Sequence, residues 1–319
     1  MSFFSTTEQR RFYLAGIFMA GAGSVLFSGK AILIKLAYSY GTDPETLLAL
    51  RMIFALPLFW LLYFWQARSN PMSAISWTDT FKVFGLGFLG YFLSSYLDFL
   101  GLQYISVGLE RIILYLTPTL VLLISFFVFK KRISRIQWFA LITGYAGVTL
   151  VFIQDVATLG GEAWLGMILV FASACAYAAY MIGSGEMVRR IGSVRLVVFA
   201  SSASAVCSII QILFYSPSAI FTQAPEIYGL SLINASICTV IPMTMIVVAI
   251  NRIGSPLVAQ AGIVGPIATL LLGWLVLSES VSLLQLVGMA VVIVAMWLLV
   301  KNDPVDKTIL AKSTEVDAR

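Results

Sequence analysis

Apolar stretches long enough to cross a membrane recur along almost the whole chain. A helix needs roughly 20 mostly apolar residues to span the hydrocarbon core of a bilayer. With 60% hydrophobic and 11% charged residues, the chain carries more apolar surface than one water-soluble core could bury, because soluble domains carry roughly 25% charge. No alternating strand pattern is present, so helices must satisfy the backbone in lipid. We predict an all-α integral membrane protein with about ten spans, at residues 12–38, 46–65, 81–101, 106–129, 136–154, 163–184, 195–215, 226–249, 255–277 and 282–300.

Lysine and arginine are distributed unevenly between the two sides of these spans. Arg68, Lys130 and Arg190 lie in loops on one side, whereas the loops near 41–45 and 155–162 on the other side contain no basic residue. Because cytoplasmic loops carry an excess of Lys and Arg, we expect both termini in the cytoplasm. The sequence shows no sorting signal, which suits a bacterial inner (plasma) membrane.

The two halves of the chain are weakly repeated. A shift of 148 residues superimposes Pro118 on Pro266, Ser134 on Ser282 and Gln137 on Gln285. Each half has an odd number of predicted spans, so the second half must run inverted, as in many secondary transporters whose substrate site lies between the halves. The predicted layout is a cytoplasmic N-terminus (1–11), a first five-helix repeat (12–154), a second five-helix repeat (163–300) and a flexible cytoplasmic tail (301–319).

Several short motifs, in order and spacing, resemble the drug/metabolite transporter superfamily and specifically its EamA-type permeases. The resemblance covers residues 12–300 and implies a ten-helix permease that moves small metabolites, but it does not identify the cargo. Members often carry a glutamate at the end of span four; Glu279 matches it in the second half, whereas Lys131 stands in the first. The residues that carry the resemblance are Lys30, Lys35, Gly41-Thr-Asp-Pro-Glu-Thr, Arg51, Leu116-Thr-Pro118, Val264-Gly-Pro266 and Leu277-Ser-Glu279.

Once residues at loops and span ends are set aside, the charged residues that remain within the predicted spans all belong to the first half. Such residues cost several kcal/mol in a bilayer and usually face a cavity or a partner. Glu110 and Arg111 are adjacent, so on a helix they point about 100° apart and each needs a partner on another helix or in water. Two interpretations remain open: a static ion-pair network, or a site, net positive by two, for an anionic or carboxylate-bearing substrate at which Glu110 or Asp98 exchanges a proton. The six residues are Lys30, Lys35, Arg51, Asp98, Glu110 and Arg111.

Polar and aromatic side chains within the spans are candidates to complete a binding pocket. Packing or a position in the interfacial aromatic belt is the alternative for each aromatic residue. Pro118 and Pro266 remove helix hydrogen bonds, so we predict hinges there, with ordinary kinks as the alternative. The predicted pocket residues are Tyr115, Tyr177, Tyr180 and Gln260.

The composition also narrows the class of function. The chain has no histidine, and its three cysteines, Cys175, Cys207 and Cys238, lie far apart, so we expect no metal, no cofactor and no enzymatic activity. A nucleotide-binding Gly-x-x-x-x-Gly-Lys-[Ser/Thr] loop is also missing from the sequence.

We therefore predict a secondary transporter of small polar or amphipathic metabolites that works by alternating access, with export favoured and protons as a candidate coupling ion. The alternative is a non-transporting membrane component such as a sensor or a lipid scramblase. The expected partners are a small-molecule substrate and the lipid bilayer, without nucleic acid, and a homodimer is compatible with the sequence.

Overall fold

The chain is helical wherever a regular element forms in its described part. The computed structural model describes residues 7–69, 75–130, 133–253, 258 and 264–301, so the predicted pocket residue Gln260 lies outside the described residues. The all-α prediction is confirmed. In chain order the helices are α1 (Thr7–Ser39), α2 (Pro44–Ser69), α3 (Trp77–Gly87), the π-helix π1 (Phe88–Leu93), α4 (Ser94–Gly101), α5 (Val107–Leu114), α6 (Thr117–Phe129), α7 (Arg135–Leu159), α8 (Ala163–Ile191), α9 (Ser193–Tyr215), a 3₁₀ turn (Pro217–Ile220), α10 (Pro225–Ala235), the π-helix π2 (Ser236–Val240), α11 (Ile241–Ile253), α12 (Val264–Leu277) and α13 (Leu283–Lys301).

Eight helical stretches of the described chain are long and apolar enough to cross a membrane. Two further apolar helices, Val264–Leu277 and Leu283–Ala295, are shorter. The structure therefore supports a membrane-spanning helical protein, and the count of ten spans stays a prediction. The eight stretches are Arg11–Ser39, Pro44–Arg68, Trp77–Gly101, Val107–Val128, Arg135–Ile153, Ala163–Gly185, Val194–Tyr215 and Pro225–Ile246.

The helices pack in pairs that follow the 148-residue shift. The shift carries α1 onto α8, α4 onto α11, α2 onto α9 and α7 onto α13. The contact between α1 and α11 is therefore equivalent to the contact between α8 and α4, and the structure has both. In addition, α2 packs on its equivalent helix α9, and α7 packs on its equivalent helix α13. The core is thus built mainly from contacts between the two halves rather than within each half.

Matching hydrogen bonds begin the last helix of each half. At the start of α7, the backbone N–H of Gln137 donates to the Ser134 hydroxyl at 3.3 Å and the backbone N–H of Ser134 donates to the Gln137 side chain at 2.9 Å. At the start of α13, Ser282 and Gln285 exchange the same two bonds, both at 3.1 Å. These reciprocal capping boxes satisfy N–H groups that the helix leaves unpaired.

Two backbone irregularities recur at the same shift. The π-helices π1 and π2 begin at Phe88 and Ser236, which are 148 residues apart. The helices α6 and α12 are followed by Lys130 and Ser278, also 148 residues apart, with φ angles of 53° and 54°. Composition and hydropathy predicted neither feature, yet both support the repeat.

Candidate substrate and coupling site

Four of the predicted charged residues meet in one buried group, called here the charge cluster: Lys30 of α1, Asp98 of α4, and Glu110 and Arg111 of α5. Their side chains are at most 9% exposed. Lys30 Nζ lies 2.6 Å from Asp98 Oδ2 and 4.0 Å from Glu110 Oε1. The first helix and the consecutive helices α4 and α5 therefore bring two cations and two carboxylates together.

Only one of these charge pairs is tight. Lys30 donates a hydrogen bond to Asp98, whereas both oxygens of the fully buried Glu110 have no hydrogen-bond partner in the described chain. Arg111 Nε lies 3.9 Å from Glu110 Oε2 and also has no such partner there. The expectation that the adjacent Glu110 and Arg111 would not pair well agrees with this loose contact. Burial of a charge without hydrogen bonds is costly. Glu110 and Arg111 therefore retain atoms that can still accept or donate a hydrogen bond.

An aromatic ring lies beside the two cations of the charge cluster. Lys30 Nζ is 5.4 Å and Arg111 Cζ is 5.7 Å from the centre of the Phe27 ring. Arg111 also donates a long hydrogen bond of 3.5 Å to the Phe27 carbonyl. Cation–π attraction partly offsets the desolvation of both side chains. Sequence reasoning did not select Phe27, although its position three residues before Lys30 places both on one helix face.

Arg51 of α2 lies beside the charge cluster. Its guanidinium carbon is 4.8 Å from the centre of the Phe99 ring, and Phe99 follows Asp98 in α4. Arg51 is 3% exposed, and its Nε and Nη2 atoms have no hydrogen-bond partner among the described residues. A buried guanidinium with free donors is suited to bind a carboxylate or phosphate group.

Lys35 contacts a carboxylate of the second half. Its Nζ lies 3.9 Å from Glu279 Oε1, and the two side chains are 23% and 27% exposed. Glu279 also accepts a hydrogen bond of 3.4 Å from the backbone of Val107, the first residue of α5. A carboxylate is favourable at a helix N-terminus, so Glu279 links the second half to the helix that carries Glu110.

Glu45 is a buried carboxylate that the sequence reasoning missed. The sequence predicts a loop near residues 41–45, whereas α2 begins at Pro44 and Glu45 is 8% exposed. Its Oε1 accepts a hydrogen bond of 2.8 Å from the hydroxyl of Tyr96. Glu45 and Glu279 thus add two carboxylates to the six charged residues that the sequence singles out, and the net positive charge of the site stays a prediction.

The predicted tyrosines lie in two other places. Tyr177 stacks on Tyr180 with ring centres 5.6 Å apart, and Tyr180 meets Tyr91 edge-on at 5.2 Å with the two hydroxyls 3.4 Å apart. Tyr115 ends α5 and packs against an apolar group that includes Ile112. The contacts described for these rings are thus with other aromatic and apolar side chains.

One predicted hinge proline lies in the first turn of a helix. Pro118 is the second residue of α6, after a break in span four between Leu114 and Thr117. Proline is tolerated in a first helical turn because its missing N–H would be unpaired there anyway. Pro118 therefore begins a helix instead of kinking it from the interior. Pro266 lies in α12, whose described part starts at Val264, and the hinge role of both prolines stays a prediction.

Comparisons with known proteins agree on the class of this chain. The EamA-like transporter family matches residues 14–153 and 164–301. A Bacillus subtilis protein named uncharacterized transporter YcbK is 32% identical over 278 residues, which cover 86% of this chain and 89% of that protein. The uncharacterized transporter sll1319 of Synechocystis is 25% identical over 283 residues, covering 79% of this chain and 78% of that protein. A solved crystal structure has the same fold, with a TM-score of 0.63 and 18% identity over 89% of this chain and 97% of the other.

The family match covers each half of the chain separately, in agreement with the internal repeat. The apolar helices and the names of the relatives together support a membrane transporter. The resemblance to EamA-type permeases is thereby confirmed, and the chain belongs to the EamA-like transporter family.

Proposed function

We propose that the chain is a secondary transporter that moves a small polar or amphipathic metabolite by alternating access, with ten spans in two inverted five-helix repeats. The cross-packed helix pairs support this proposal, because each half builds its contacts mainly on the other half. Inverted repeats of this kind place the substrate between the halves. The tail and both termini are on the cytoplasmic side of a bacterial inner membrane in this proposal, and a homodimer remains compatible with it.

The charge cluster is the proposed substrate and coupling site, and the unpartnered Glu110 carries this assignment. A static brace would be expected to use the hydrogen-bonding capacity of its members, since buried ion pairs stabilise only when the remaining polar atoms are satisfied. Glu110 is fully buried with two unpartnered oxygens, and Arg111 Nε is also unpartnered among the described residues. These free atoms support a group that exchanges a ligand or a proton during a cycle.

A division of roles within the cluster follows from the distances. Lys30 is already hydrogen bonded to Asp98 at 2.6 Å, so Arg111 and Arg51 have the free donors for a cargo carboxylate. A proton on Glu110 would remove the negative charge that lies within 4.0 Å of both Lys30 and Arg111 and leave these cations to the cargo carboxylate. Export driven by proton entry is the direction we propose, with Glu110 as the coupling group.

The test compares compounds released by cells that express the wild-type chain, Glu110→Gln, Arg111→Ala or the matched control Glu162→Gln, at equal membrane levels. Glu162 lies in the exposed turn before α8, so its loss of charge leaves the cluster unchanged. We expect one class of compound to accumulate outside with the wild type and the control, and at least about tenfold less with Arg111→Ala, because charged hydrogen bonds are worth about 1.5–3 kcal/mol.

Proton coupling has its own readout in this experiment. Once the cargo is known, purified protein in vesicles should move it faster under an imposed pH gradient, and Glu110→Gln should move it at a rate that no longer depends on the gradient. If both cluster variants release the cargo as well as the wild type, the cluster only braces the helices and the proposed site is wrong.

A further inference from the structure

A second buried group without partners lies on α10 in the other half of the chain. Asn234 is 1% exposed, and neither its amide oxygen nor its amide nitrogen has a hydrogen-bond partner in the described structure. Ser231, three residues earlier on the same face, is fully buried, and its hydroxyl is also unpartnered. Burial of an unpaired amide or hydroxyl is unfavourable, so these atoms need water or a ligand.

The helix that carries this pair packs against the helix that carries Lys30. α1 contacts both α10 and π2. At this contact the sulfur of Cys238 in π2 is 3.0 Å from the position that a Cβ on Gly29 would occupy, and Gly29 precedes Lys30 in α1. Asn234 and Lys30 therefore lie on two helices that are in direct contact.

The surrounding helices carry further unpartnered polar atoms. α2 packs against both α9 and α10, and Met52 of α2 shares an apolar cluster with Ala205 of α9 and Leu230 of α10. Arg51, Ser204 and Ser231 are next in sequence to these three residues, and each has a buried polar atom without a hydrogen bond among the described residues. The three helices therefore each carry a buried polar group with unused hydrogen-bonding capacity.

We propose that Asn234 and Ser231 bind the uncharged hydrogen-bonding group of a cargo whose carboxylate lies at the charge cluster. This inference rests on the proposed function. An asparagine amide both donates and accepts, so its natural partner is a group that does the same, such as an amide or a hydroxyl. A methyl group would leave both atoms of the amide unpaired. The cargo class is therefore a small carboxylate that carries an amide or hydroxyl group a few bonds away.

The test uses succinamate as the probe and 4-oxopentanoate, in which a methyl replaces its amide nitrogen, as the matched comparison. Binding of each compound to the full-length protein in lipid nanodiscs would be measured by isothermal titration. We expect the wild type to bind succinamate roughly tenfold more tightly, because only succinamate donates to the amide oxygen of Asn234. Equal binding of the two compounds by the wild type, including no binding of either, would overturn the inference without any variant.

Variants separate this inference from the proposed function. Asn234→Leu should bind both compounds with the weaker affinity, Arg111→Ala should lose both, and the control Gln103→Leu, at an exposed position, should behave as wild type. If Asn234→Leu keeps the preference, the amide only holds water and the proposed function stands. If Arg111→Ala keeps wild-type binding and wild-type release from cells, the proposed site fails.

Discussion

The two halves of the chain share a frame and differ in chemistry. Capping boxes, π-helices and left-handed helix ends recur 148 residues apart, but the charge cluster does not. The shift carries Lys30, Asp98 and Glu110 onto Ala178, Ile246 and Val258. The recurring features set the ends and the packing of the helices. The residues of the charge cluster, which do not recur, are buried and polar. The repeat thus builds the scaffold, and the proposed site lies where the two halves depart from each other.

Buried polar residues of the second half likewise have apolar counterparts in the first half. The buried polar residues Asn234, Ser231 and Ser204 correspond under the same shift to Leu86, Val83 and Leu56 of the first half. At these positions the first half has the charged groups and the second half has the neutral hydrogen-bonding groups. A site formed between two such surfaces is polar at two ends, which a symmetric repeat could not provide.

The largest expected effect comes from replacing Lys30, at the centre of the charge cluster, with the residue that the second half has at the equivalent position. Lys30→Ala places the residue of position 178 at position 30 and leaves the buried Asp98 without its only described ion-pair partner. Breaking a buried pair in this way costs about 3–5 kcal/mol. Denaturant unfolding of the purified protein should show this loss, with Lys82→Ala, at an exposed site, as the control. A change below about 1 kcal/mol would mean that the cluster is hydrated rather than buried.

A smaller effect is expected where the halves pack differently at an equivalent position. Gly90 of π1 faces Tyr180, whose ring a Cβ at position 90 would overlap, whereas the equivalent Cys238 faces Gly29. Gly90→Ala should cost about 1–3 kcal/mol by overpacking. Cys238→Ala should cost less, since it removes a single atom from a contact with a glycine. Thermal unfolding in nanodiscs would compare the two, and equal costs would contradict the asymmetric packing.

Loss of the capping serine should destabilise the protein to a similar extent at the two equivalent helix starts. This test sharpens the comparison of the two halves. Ser134→Ala and Ser282→Ala each remove a hydroxyl that accepts a backbone hydrogen bond. Loss of such a cap costs about 0.5–2 kcal/mol, and the matching geometry predicts two similar values. Equilibrium unfolding of both variants is the measurement; a cost at one end alone would show that the two helix starts are not equivalent.

The smallest effect is expected at the edge of the polar region. Lys35 and Glu279 are 3.9 Å apart and more than a fifth exposed, and such pairs contribute about 0–1 kcal/mol. Lys35→Met should therefore change the unfolding free energy by less than about 1 kcal/mol. Transport measured on the same variant decides whether the pair has a further role, because a loss of rate without a loss of stability would place Lys35 on the cargo path.

Charge in an apolar segment was the strongest signal in the sequence. Lys30, Asp98 and Glu110 were selected because such residues rarely occur in membrane spans, and the fold brings all three together. The repeat was detectable from Ser134 and Ser282 because each precedes a glutamine by three residues in a chain that is otherwise largely apolar. Features that contrast with their surroundings are thus predictable from one sequence.

Features that depend on three-dimensional pairing were not predictable. Glu45 was assigned to a loop because its neighbours include a proline and an aspartate, although its burial depends on helices that pack around α2. Asn234 carries no charge and lies in an ordinary apolar span, so only its lack of partners in the fold singles it out. Tyr177 and Tyr180 were selected by residue type, which does not distinguish a pocket from aromatic packing.

The π-helices make helix rotation depend on chain length. A π turn holds one residue more than an α turn, so the segments on its two sides are turned relative to each other by about 100° compared with an uninterrupted α-helix. Asp98 follows π1 by five residues. Deleting one residue of Phe88–Leu93 would let the segment close into an α turn and keep Asp98 directed at Lys30, because the π turn already absorbs one extra residue. The same deletion between Ser94 and Leu97, in regular α-helix, would turn Asp98 by about 100°. In this fold the effect of a single-residue deletion therefore depends on whether it falls inside the π turn.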